Sequence, residues 1–120
     1  MFRMHYGQTN SELTWEYGGH KQSVLLKAIE QYALDEQLDC IFALSGNGPG
    51  QEKLYVIEAK SGDCKSVQPP SGFSFYYLTK HPKLGVSIVC VSDEPVDGAR
   101  DWHFSLEPGS IELKRAIPAY

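Results

Sequence analysis

Four histidines are the side chains of this chain best suited to acid–base or metal chemistry, and each stands alone in the sequence. His5, His20, His81 and His103 lack the paired spacing that would place two imidazoles on one metal ion. His5 and His103 fall on the outward positions of strand-like alternations, where a solvated histidine is the plain expectation. The nucleophiles are no better placed. Ser45, in Ala43-Leu44-Ser45-Gly46-Asn47, lacks both the first glycine of a nucleophile elbow and the helix that should follow it. Cys64, in Gly62-Asp63-Cys64-Lys65, has a lysine beside it that would lower its pKa, but no histidine tied to it, so it reads as an exposed thiol. The glycine run Gly46-Asn47-Gly48-Pro49-Gly50 follows a strand-like segment, yet neither Lys-Ser/Thr nor a helix comes after it. A phosphate loop needs that helix N-terminus, so the run reads as a hairpin turn.

Two other groups point to recognition. Asp93, Glu94, Asp97 and Asp101 concentrate acid in and just after the turn-rich stretch Asp93–Gly98. They lack the alternating carboxylates, central glycine and closing glutamate of a calcium loop, but they suit docking to a basic protein, where such charge mainly raises association rate and specificity. Aromatic residues are the second excess: Phe73, Phe75, Tyr76 and Tyr77, with Trp15, Tyr17, Tyr55 and Trp102, outnumber what one modest core uses. Tyrosine and tryptophan are favoured interface anchors. The candidate partner-binding residues are therefore Asp93, Glu94, Asp97, Asp101, Tyr76 and Trp102. No catalytic, cofactor-binding or metal-ligating residue is assigned, and no cofactor is expected.

A scaffold must hold these residues, and its longest periodic stretch is Ser23 to Ala59. Val24, Leu25, Ala28, Ile29, Tyr32 and Ala33 recur at i, i+1, i+4, i+5, i+8 and i+9, with Lys27, Glu30 and Gln31 opposite. This spacing predicts an amphipathic helix over Val24–Leu38, broken from what precedes it by Gly18 and Gly19. Asp35, Glu36 and Asp39 then crowd the helix end where the dipole disfavours acid, an anomaly that asks for a cause beyond local propensity. Cys40–Leu44 is apolar on both faces, as suits a strand covered on both sides, and Leu54–Ala59 is its antiparallel partner.

Elsewhere the period is two. Phe2, Met4 and Tyr6 face Leu13, Trp15 and Tyr17 across a polar turn in an opening hairpin. Ser61–Gly72 reads as a long loop, and Phe73–Leu78 as an aromatic strand broken by Lys80-His81-Pro82-Lys83. Val86–Val91 reads as a buried strand, and Trp102–Leu106 with Ile111–Ile117 as a closing meander. The expected class is α+β: one main helix on a largely antiparallel, meandering sheet of about seven to eight strands.

The 120 residues make one domain, 1–120, with 42% hydrophobic and 22% charged residues. No apolar run approaches the ~20 residues of a membrane span, and the N-terminus shows no long apolar signal region. A net charge of −4 argues against nucleic acid as partner. Three cysteines without metal or redox spacing, Cys40 and Cys90 inside apolar strands, lead to an expected cytoplasmic setting.

The Leu13-Thr14-Trp15-Glu16 strand, the Val24–Leu38 helix and the Ile41-Phe42-Ala43-Leu44-Ser45-Gly46…Leu54-Tyr55-Val56-Ile57 hairpin together resemble the layout of small immunity proteins from bacterial polymorphic-toxin and contact-dependent inhibition systems. The resemblance covers about the first half of the chain. It implies a non-enzymatic inhibitor that occludes a cognate, basic toxin domain. Two other readings stay open: a small enzyme joining His81 or His103 with Asp93 or Asp101, and a homo-oligomeric module using an exposed sheet edge.

Overall fold

A computed structural model describes residues 3–6, 10–27, 29–46, 52–107 and 111–119. The described residues form eleven strands and no helix: β1 (Arg3–Tyr6), β2 (Asn10–Tyr17), β3 (His20–Lys27), β4 (Ile29–Asp35), β5 (Cys40–Ser45), β6 (Lys53–Glu58), β7 (Cys64–Val67), β8 (Phe73–His81), β9 (Gly85–Val96), β10 (Ala99–Leu106) and β11 (Leu113–Pro118). They make three antiparallel sheets, β1-β2-β3, β4-β5-β6-β7 and β11-β10-β9-β8. The class is all-β, which corrects the α+β expectation.

The helix expected over Val24–Leu38 is two strands and a turn. Gly18 and Gly19, taken as a break, have φ of 58° and 81° and form the two-residue loop of a hairpin in which Tyr17 pairs with His20 and Asn10 with Lys27. Positive φ at both central residues matches the right-handed twist of the strands it joins, and glycine adopts it without strain. Val24 and Leu26 then point inward. Leu25, which the helical reading buried, is 67% exposed. Replacing Leu25 with alanine should therefore change stability by less than about 0.5 kcal/mol in a denaturant melt. A loss near 2 kcal/mol would return this residue to a core.

Inward and outward alternation builds two cores around the middle sheet. Ile41, Ala43 and Ile57 face the first sheet and pack with Leu13, Trp15, Leu26 and Ile29. Phe42, Leu44, Leu54, Val56 and Val67 face the third sheet and pack with Val86, Ile88, Cys90, Trp102 and Phe104. Strand β5 is thus covered on both faces, as its continuous apolar run anticipates. Its pairing with β6 runs from Cys40↔Glu58 to Ser45↔Lys53. Side-chain hydrogen bonds lock the first two layers: Trp15 Nε1 donates to Ala59 O at 2.7 Å, and Ser45 Oγ to Lys27 O at 2.8 Å.

Other boundaries also shift. The loop expected over Ser61–Gly72 contains β7, which pairs with β6. Strand β8 continues through Lys80 and His81, and β9 runs on to Val96, so Asp93 and Glu94 lie in strand rather than loop. The turn tightens to Asp97-Gly98, with φ of 47° and 87°. Residues 47–50 of the expected glycine turn are outside the described residues.

Candidate functional site

The third sheet carries most of the candidate residues because its strands turn the alternate set of side chains away from the core. Across that outer side Tyr77 stands opposite Val89, Val89 opposite His103, and His103 opposite Ile117, one row spanning four strands. Tyr77 and Ile117 are exposed at 36% and 42%, while Val89 between them is fully buried although it belongs to neither core cluster.

The row brings two of the four histidines together. The His81 and His103 rings meet edge to face at 5.2 Å between centroids, and Ser87 Oγ lies 2.7 Å from His103 Nδ1. The tautomer of His103 sets the direction of that bond, and Ser87 Oγ donates to Phe104 O at 3.5 Å. Burial, then repulsion from His81, holds the His103 pKa below its ordinary value. Ser87 is no nucleophile here, because it is wholly buried and no substrate carbon can reach its oxygen. Among the described residues neither histidine hydrogen-bonds or ion-pairs with Asp93 or Asp101, so the geometry does not assemble the His/Asp site left open by the sequence.

The lowered His103 value has a consequence for pH. The unfolded chain, with histidine near 6.5, takes up this proton at higher pH than the folded one. Folding stability should be full above that value, fall as pH drops through it toward the lowered folded pKa, and level off below. Paired denaturation series of the wild type and His103→Gln should diverge over that interval, the variant losing less. Parallel curves would leave the histidine without influence on stability.

The acidic residues divide into an ion-paired one and three others. Asp97 is ion-paired with Arg115, whose guanidinium sits 4.5 Å from the centre of the Trp102 ring. Trp102 is 7% exposed and its Nε1 donates to Val96 O and Ala99 O at 3.1 and 3.0 Å. It is a core residue that braces the β9–β10 turn. Asp93 and Glu94 are exposed and Asp101 is half-buried. Ser92 Oγ donates to Glu94 O at 2.6 Å and also reaches Arg100 O, holding the strand where its register with β10 shifts.

Tyr76, the other aromatic candidate, lies on β8. It occupies a register shift in β8, is 58% exposed, and stacks edge to face on Tyr77 at 4.9 Å. Gln31 of β4 steadies this irregularity: its Oε1 accepts from Leu78 N at 2.8 Å, and its Nε2 reaches Tyr76 O at 3.5 Å. Gln31, Ser87 and Arg115 were missed from sequence. A polar residue at a strand position is the weak signal they share, and it does not name a partner.

Cys90 is buried, Cys40 half-buried and Cys64 exposed. Burial, with the Glu52 charge adding to it, pushes the Cys90 thiol up to about 12. Desolvation raises Cys64 as well, so Lys65 does not activate it. Under a neutral thiol reagent Cys64 should label first, Cys40 more slowly and Cys90 only on unfolding. Equal rates would contradict the strand placements.

Among the described residues no group of three or more histidine, cysteine or acidic side chains is arranged to hold a metal ion, and no helix is long and apolar enough to cross a membrane. Comparison with protein-family models, curated proteins and solved structures gave no match.

Proposed function

We propose that this chain is a protein-binding domain that acts by stoichiometric occlusion, in the manner of an immunity protein protecting against a toxin domain. One observation carries the reading: Tyr76 and Tyr77 form an exposed ring pair on a strand irregularity that Gln31 pins from a neighbouring sheet. A rigid tyrosine loses little entropy on binding and supplies both apolar area and a hydroxyl. Asp93 and Glu94, exposed farther along the same sheet, add the negative charge that favours a basic partner. The helical segment of the resemblance is strand, so the reading rests on this surface and not on the layout. A stable complex of this kind buries about 1,600 Å².

The test compares wild type with Tyr76→Ala and with Asp93→Asn/Glu94→Gln as bait in the native host. A single basic protein should be retained at one-to-one stoichiometry by the wild type. Tyr76→Ala should lose it, and the charge variant should bind it more slowly with a flatter salt dependence. The partner's own activity should fall to background at equimolar inhibitor. Retention by Tyr76→Ala, or a bound partner that stays fully active, would overturn the proposal.

A further inference from the structure

Strand β8 stands at an open edge of the third sheet and, among the described residues, has β9 as its only strand partner. An edge strand presents backbone N–H and C=O groups that a strand of another molecule can take up, and proteins blunt such edges with charge, proline, bulges or short length. The other edge strands of the described residues do so. β1 and β7 are four residues long, β3 carries Lys21 and Lys27, β4 carries Glu30, and β11 carries Lys114 and Arg115 and ends at Pro118. From Phe73 to Thr79, β8 has neither charge nor proline and is rich in aromatic rings, the composition of a segment prone to pair with its own kind. Gln31 of β4 lies against this stretch. Its Oε1 accepts from Leu78 N at 2.8 Å, and its Nε2 donates to Tyr76 O at 3.5 Å. These two backbone groups flank Tyr77, and a strand laid alongside β8 would offer them the same donor and acceptor. The register shift between Phe75 and Tyr77, which also unsettles strand pairing, falls at the same place.

We propose that Gln31 guards this edge: its side-chain amide fills the place of a neighbouring strand and keeps a second copy of the chain from pairing through β8. The occupant it excludes is β8 of that second copy, laid antiparallel, because an edge that pairs with itself closes as a two-fold dimer. The guard belongs to a different sheet from the strand it covers, so it acts only while the second and third sheets stay packed. The protein-binding role uses the rings of Tyr76 and Tyr77; the guard concerns the backbone beneath them and does not depend on that role.

Sedimentation equilibrium over a concentration series tests the guard in wild type, Gln31→Ala and Gln31→Met, the last keeping the side-chain length without the amide. The wild type should stay monomeric, and both variants should rise with concentration toward twice the monomer mass. Hydrogen exchange locates the contact. In the dilute variants the Leu78 amide should exchange roughly tenfold faster than in wild type, as expected for loss of one hydrogen bond, and should regain protection as the dimer forms. Adding Ser74→Lys, at an exposed position of β8, should return either variant to a monomer, since a lysine on the edge opposes strand pairing. Far-ultraviolet circular dichroism checks each fold, and the methionine variant serves if the alanine variant does not fold. The proposal fails if a folded Gln31 variant stays monomeric at every concentration or if wild type associates as strongly. It fails equally if the dimer leaves the Leu78 amide unprotected or withstands Ser74→Lys.

Discussion

Trp15→Ala should lower folding stability by about 3–5 kcal/mol, the usual cost of deleting a buried tryptophan. Its side chain is 2% exposed and lies among Leu13, Leu26, Ile29, Ile41, Ala43 and Ile57, so the deletion opens a void between the first and second sheets. It also removes the Nε1–H that donates to Ala59 O at 2.7 Å. Ala59 is itself 2% exposed, which leaves its carbonyl without ready access to water. A domain of this size has a total stability of roughly 5–15 kcal/mol, so the variant should be partly unfolded well below the wild-type midpoint. Trp15→Phe separates the two contributions. It retains most of the apolar contact and should lose about 1–3 kcal/mol, mainly for the orphaned carbonyl. Urea titrations followed by far-ultraviolet circular dichroism measure both. A loss under about 1 kcal/mol for Trp15→Ala would mean that the first sheet is not held to the second through this side chain.

Asp35→Ala is expected to cost about 3–4 kcal/mol, because a buried carboxylate that accepts several N–H bonds leaves its donors bare when removed. Its Oδ1 accepts from Gln37 N and Leu38 N, both at 3.1 Å, and so shapes the β4–β5 turn. Its Oδ2 accepts from Val86 N at 3.1 Å, which ties that turn to the start of β9 in a different sheet. Gly85 completes the arrangement. It has φ of 73°, and a Cβ there would come within 2.8 Å of Asp35 Oδ2. Asp35→Asn keeps one acceptor oxygen but turns an NH₂ toward a donor, and should cost about half as much. Hydrogen exchange adds a local readout: the Val86 amide should lose protection in Asp35→Ala more than amides at the centre of β5 do. Equal protection in variant and wild type would separate Asp35 from the start of β9.

This aspartate also resolves the anomaly at the end of the expected helix. Acid at Asp35 opposes a helix dipole that is not there. What it meets are three backbone N–H groups, one of them 51 residues away.

By itself the sequence determined every element whose signal is local. Two-residue alternation announces the β1–β2 hairpin and the β10–β11 meander, because a strand with one buried face must alternate and these do so within a few residues. The continuous apolar run Ile41–Leu44 likewise announces a strand covered on both sides. The tertiary structure alone decided the state of residues 20–35. Val24, Leu25, Leu26 and Ile29 satisfy a helical face and two short alternating strands almost equally well, and the partners that choose between them, β2 and β5, lie in other segments. The meeting of His81, Ser87 and His103, the stacking of Arg115 on Trp102 and the grip of Gln31 on β8 belong to the same class. A strand satisfies its backbone N–H and C=O groups on neighbours that can come from anywhere in the chain. No local window contains that information, and in a protein of three stacked sheets it places nearly every candidate functional residue.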